Sequence, residues 1–189
     1  MRAARRARPV MYGGRVTRAE RLEAFDAFMA ARKQIVAHDQ QGRWLPTNQE
    51  GERCLKWPLE IGGEQPEEAK LVLVGRPRYA RQFRLLLLCG PCLARLDCTD
   101  EVHTNGGREP IDKLPALVEG HHYHPWKLNR RFFVKHGDGA RPVKLSLAVP
   151  FDAATNLEGA LRWFCADNNI ESLPSDHHIE LPPATSLFG

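Results

Sequence analysis

The chain has 189 residues, with 27 lysines and arginines against 23 aspartates and glutamates, a formal charge of +4, 42% apolar residues and 26% charged ones. These values suit one folded domain and exclude wholesale disorder. The absence of any run of roughly 18 apolar residues excludes a membrane-spanning helix, and the mild positive charge permits a polyanionic partner without requiring one.

Residues 1–14 hold Arg2, Arg5, Arg6 and Arg8 but no apolar stretch follows them. The reading is a basic arm rather than a secretory leader. The cysteines, Cys54, Cys89, Cys92, Cys98 and Cys165, are odd in number. Free thiols in a reducing, cytoplasmic compartment are expected.

Thr17-Arg18-Ala19-Glu20 spells a capping box, and Leu22, Phe25, Phe28, Met29, Ile35 and Val36 follow at helical spacing. A helix over about 18–37 is predicted. Residues 55–61 alternate beside Pro58, which suggests a short edge strand. Strands are expected at 71–74, 79–88 and 93–98, with a hairpin about Gly90-Pro91. Asn105-Gly106-Gly107 and Gly137-Asp138-Gly139 are turn signals. Tyr123 to Val134 reads as one or two strands broken at Pro125, and Val143 to Val149 as a half-buried strand. Leu157, Ala160, Leu161, Phe164 and Cys165 share a helical face, so a second helix should begin at Asp152 or Thr155 and close at Asn168-Asn169. The expected fold is α+β, a mainly antiparallel sheet with two principal helices packed on one face. One domain should span 15–173, followed by an extended Pro-rich tail at 174–189.

Cys89-Gly90-Pro91-Cys92 matches the thioredoxin tetrad. That chemistry needs the first thiol at a helix N-terminus, and strand-like sequence surrounds this one. A plain turn is the better reading. Cys89, Cys92, Cys98 and His103 also give a C-x₂-C-x₅-C-x₄-H spacing that could bind zinc, a possibility the sequence leaves open.

The concentrated chemistry lies between His103 and His124. In an extended segment, His122 and His124 share a face, where two imidazoles can act as acid and base on a phosphate or chelate a metal. Asp97 lies upstream to orient a histidine. Asn105, Trp126, Lys127, Arg130 and Arg131 are candidates to hold substrate, the cations through phosphate oxygens. His103, His122, His124 and Asp97 are the expected catalytic set, converging on a solvent-open pocket with neither metal nor cofactor.

Arg95-Leu96-Asp97, His103-Thr104-Asn105, His122-x-His124 and the helix carrying Leu161 and Phe164 resemble a group of prophage and mobile-element proteins. More distantly they are similar to the TumE-type toxins of toxin–antitoxin pairs, over about residues 79–171. The resemblance implies a cytoplasmic toxin-like or phage-defence protein acting on nucleic acid, a metal-independent ribonuclease with RNA and a cognate antitoxin as partners. The alternative is a non-catalytic accessory protein of a phage or mobile element that binds nucleic acid or protein. Neither reading calls for a membrane.

Overall fold

The computed structural model describes residues 17–36, 43–75, 82–106, 114–136, 145–153, 156–171, 179 and 181. The basic arm and most of the Pro-rich tail lie outside them. Helix α1 (Arg18–Ala30) begins at the expected capping box: the Thr17 hydroxyl accepts from the Glu20 amide, and the Glu20 carboxylate accepts from the Thr17 amide. Strands β1 (Gln34–Ile35), β2 (Leu45–Pro46), β3 (Arg53–Glu60), β4 (Ala69–Gly75), β5 (Phe83–Cys89) and β6 (Cys92–Cys98) follow. Then come β7 (Val102–Thr104), β8 (Leu117–Glu119), β9 (His122–His124), α2 (Trp126–His136), β10 (Val149–Pro150) and α3 (Leu157–Asp167).

Eight strands form one antiparallel sheet in the order β1-β3-β4-β5-β6-β9-β10, with β2 also on β3, while β7 and β8 make a separate ribbon. The β5–β6 turn is tight because Gly90 takes a positive φ of 74°, which costs glycine nothing. One face of the sheet carries Leu55, Trp57, Leu71, Leu73, Leu85, Leu87, Leu96 and Tyr123. It buries them against Phe25 and Phe28 of α1 and Leu161 and Phe164 of α3.

The other face is where the polar chemistry collects. The register aligns Lys56, Val72, Leu86, Arg95 and His124 in one row across five strands. The adjoining row runs through Cys54, Val74, Arg84, Asp97 and His122. Both rows reach the histidines of β9, beside the ribbon that carries His103.

Four expectations need correction. Helix α1 stops at Ala30, because Ala31 turns extended and the chain enters β1, so Ile35 belongs to a strand and Val36 follows it. Strand β3 is not an edge, since β1 and β2 flank opposite ends of it. Residues 126–136 form a helix, not a strand; Pro125 stands just before it, and the Asn129 amide donates to the Pro125 carbonyl as the helix opens. Residues 145–148 are not a strand either, although Leu145 and Leu147 are buried and alternate with Ser146. The closing helix begins at Leu157 with Asn156 as its N-cap.

Lys33 locks the helices to each other. Its side chain is fully buried, and Nζ donates to the carbonyls of Met29 (3.2 Å), Ala31 (2.8 Å) and Asn168 (2.9 Å). Burial pushes its amine down to about 8, while carbonyls at the C-terminal ends of α1 and α3 favour the ammonium. Lys33→Met keeps the apolar stem but strips a donor from these carbonyls. Equilibrium urea unfolding should show a loss of about 2–4 kcal/mol, the cost of unpaired buried acceptors.

Candidate metal centre

Asp97 and Arg95 on β6 face His122 and His124 on β9, paired directly in the antiparallel register. His103 arrives from the β7–β8 ribbon. Its ring centroid lies 5.2 Å from that of His122 and 4.6 Å from that of His124, and the latter two are 5.1 Å apart. One ring nitrogen from each histidine falls within 4.8 Å of the other two. The expected convergence of His103, His122, His124 and Asp97 is therefore present. The expected openness is not: His122, His124 and Asp97 are buried, and His103 is half-buried.

All three imidazoles share one arrangement. His103 Nε2 lies 3.0 Å from the Ser146 carbonyl, His122 Nδ1 2.7 Å from that of Gly120, and His124 Nδ1 3.1 Å from that of Leu147. A carbonyl only accepts, so each of these nitrogens carries the proton and donates. The remaining nitrogens, Nδ1 of His103 and Nε2 of the other two, hold lone pairs when the rings are neutral. Imidazoles that bind metals are typically fixed in this way, by a bond from the far nitrogen to a carbonyl or carboxylate.

Between the rings sits the Asp97 carboxylate. Its Oδ2 lies 3.2 Å from Nε2 of both His122 and His124, and it accepts from Arg95 Nε at 2.7 Å. Its Oδ1 faces Arg84 Nε at 3.2 Å, off the line of a hydrogen bond, and has no hydrogen-bond donor. Arg95 Nη2 donates to His124 Nε2 at 2.7 Å. Without a cation or proton between them, carboxylate and imidazole lone pairs would oppose each other.

The protonation states follow from these contacts. Burial raises the Asp97 carboxyl, but the His122 and His124 rings beside it and the Arg95 charge outweigh it and hold the group well below the usual carboxylate range. Burial pushes His124 down to about 4, helped by Arg95 and opposed by Asp97. Burial likewise lowers His103. His122 is also buried, yet its bonds to Asp97 and the Gly120 carbonyl carry it above its ordinary value.

The segment 145–148 roofs the site and is held by two buried asparagines acting as substitute strands. Asn105 accepts from the Ala148 amide (2.6 Å) and donates to the Ala148 and Pro115 carbonyls (2.8 Å each). Asn129 accepts from the Leu147 amide and donates to the Leu147 carbonyl, both at 2.9 Å. These clamps aim the Ser146 and Leu147 carbonyls at His103 and His124. Asn105, expected to bind substrate, is thus occupied with the main chain. Sequence reasoning missed Asn129 altogether.

The other expected binding residues lie elsewhere. Trp126 is buried in the helix-covered core and donates to Asp26 on α1, as Arg130 also does through a two-oxygen contact at 2.7 and 2.8 Å. Lys127 and Arg131 are exposed on α2. The Cys₃His spacing is not assembled as one group: His103 joins the other histidines, while Cys98 faces the opposite, apolar side of β6.

No protein-family model, curated protein or solved structure matches the chain. Its chemistry has to be read from the side chains themselves.

Cys89 and Cys92 flank the β5–β6 turn with strand, not helix, on either side, so no helix dipole activates them. Burial pushes Cys89 up to about 11 and Cys92 up to about 12. At pH 7.5 iodoacetamide should alkylate Cys89 in the folded protein roughly a hundredfold more slowly than a free thiol, in proportion to its thiolate fraction. Mass spectrometry of timed quenches measures this, and a rate near that of free thiol would show an activated cysteine.

Proposed function

We propose that His103, His122, His124 and Asp97 bind a divalent first-row transition cation, and that the chain uses it to cleave a phosphodiester in RNA. The observation that carries the metal half is the shared pattern of the three imidazoles. Each has one ring nitrogen saturated by a main-chain carbonyl, one nitrogen of each lies within 4.8 Å of the others, and the two β9 rings flank a buried carboxylate with an undonated oxygen.

The spacing supports it. In a tetrahedral site with bonds near 2.0–2.1 Å, neighbouring ligand atoms stand about 3.3–3.4 Å apart. The two 3.2 Å separations between Asp97 Oδ2 and the Nε2 atoms match that edge. Imidazole and carboxylate suit zinc, and also iron or nickel. A bound cation of this kind lowers the pKa of a coordinated water and stabilises negative charge on phosphate oxygens. The chain's own part is to fix the imidazole tautomers, through the Ser146, Gly120 and Leu147 carbonyls, and to keep bulk water from the buried pair His122 and His124.

What supports RNA as substrate is the formal charge of +4, the placement of Arg84 and Arg95 beside the carboxylate, and the resemblance to toxin-like proteins. Within this reading the chain is a cytoplasmic toxin-like or phage-defence protein, restrained by a cognate antitoxin. Among the described residues no helix is long and apolar enough to cross a membrane.

Elemental analysis after dialysis against zinc should find one equivalent per chain, and none in His122→Ala/His124→Ala. That double variant also removes two buried rings and leaves Asp97 without their support, so it should lose stability as well. His103→Ala is the cleaner probe, because its ring is half-buried. It should weaken zinc binding at least tenfold while leaving the far-ultraviolet circular dichroism unchanged. Cleavage of a single-stranded RNA oligonucleotide should stop with EDTA and return with added zinc. EDTA-resistant cleavage would restore a metal-free acid–base reaction. Salt-sensitive RNA binding without cleavage, surviving loss of the histidines, would make the chain a binding module.

A further inference from the structure

We infer that Arg95 is a built-in competitor for the metal: its guanidinium occupies the cation position in the metal-free protein and must leave when the metal enters. The inference rests on the metal-centre reading and adds a residue that controls its loading. The geometry is specific. Arg95 Nη2 is 2.7 Å from His124 Nε2, the lone pair that a metal would take, and Arg95 Nε is 2.7 Å from Asp97 Oδ2, the oxygen shared between the two β9 histidines. A single guanidinium thus satisfies two of the four proposed ligand atoms. Its planar fork suits such a pair of acceptors, whereas a lysine ammonium would offer a single point charge.

Two cations cannot share these acceptors. A nitrogen lone pair engaged by an N–H is not available to a metal, and a guanidinium left in place would repel a divalent ion across a poorly screened distance. Arg84 already supplies one positive charge on the other side of Asp97, at 3.2 Å from Oδ1. Arg84 is tied further to Glu52 and Glu101, so Arg95 is the group better placed to move. Its side chain is 32% exposed, against 5% for Asp97 and none for His124. On the sheet face it adjoins half-buried Leu86, beyond which the row continues to Val72 and exposed Lys56. The flexible stem can therefore swing over apolar side chains into water without disturbing the core.

The guanidinium has a use in the empty site. It keeps His124 Nε2 and Asp97 Oδ2 from facing each other as bare acceptors, so the ligands stay assembled before metal arrives. The cost is affinity, because each metal ion must displace these bonds. Loading then requires a higher free metal concentration than the ligand set alone would.

The test compares zinc affinity in the wild-type chain, Arg95→Met and Arg95→Lys, by competition with a chromophoric chelator at fixed pH. Arg95→Met keeps most of the stem and removes the charge. It should bind zinc at least tenfold more tightly than wild type, a difference of about 1.4 kcal/mol, with Arg95→Lys between the two. Wild type and Arg95→Met binding equally, within twofold, would overturn the role of Arg95 and leave the metal centre standing. Binding by Arg95→Met alone would uphold the competitor and sink metal use by the native chain. Binding by neither folded protein would end both ideas. Should Arg95→Met not fold, the Arg95 Nε–H resonance in the wild-type protein decides. Zinc should shift it and speed its exchange with water, and a resonance unmoved while zinc binds would refute the displacement.

Discussion

A buried carboxylate in the middle of a β-sheet is costly unless its charge is met. Asp97 meets that requirement with Arg84 from β5, Arg95 from its own strand and two imidazoles from β9. Four polar groups from three strands are organised by this one carboxylate. The strand register follows the same demand: Arg84, Asp97 and His122 lie in a single row, so a one-residue slip of any of these strands would send its member into the apolar core on the opposite face.

The covering of this site is built without regular structure. Residues 145–148 run alongside β9 and α2, yet their main-chain groups are answered by side-chain amides. An asparagine amide offers one acceptor and two donors, enough to stand in for a strand neighbour at one position. The choice lets the Ser146 carbonyl, and the Leu147 carbonyl that Asn129 also engages, point at the histidines. Backbone polarity is thereby used to set imidazole tautomers.

Much of the framework was legible because local chemistry and final fold agree. Thr17 and Glu20 announce the start of α1, and the apolar run ending at Leu88 belongs to a central strand. Alternation also placed His122 and His124 on one face. It failed at 145–148, where it reported burial of Leu145 and Leu147 but not the hydrogen bonding between them. Residues 126–136 were misread because Tyr123 and His124 begin the stretch as strand and the change of period comes only at Pro125. Trp126 and Arg130 sit one helical turn apart and both reach Asp26, a contact from α1 that no local window contains. Arg95 and Asp97 form an i, i+2 pair like that of His122 and His124, and matching the two pairs was the available clue to the site.

His103 belongs to a ribbon outside the main sheet. Its two short strands leave Val102 and Leu117 exposed and bury Val118. Small, separately paired units of this sort open at lower free energy than the sheet beneath them. The third imidazole is therefore attached to a less cooperative unit than the sheet beneath it, so site completeness and global folding are separate equilibria. Anything that binds His103 together with the β9 histidines acts as a cross-link between foldons, and linkage requires it to slow amide exchange in β7 and β8 more than in β4.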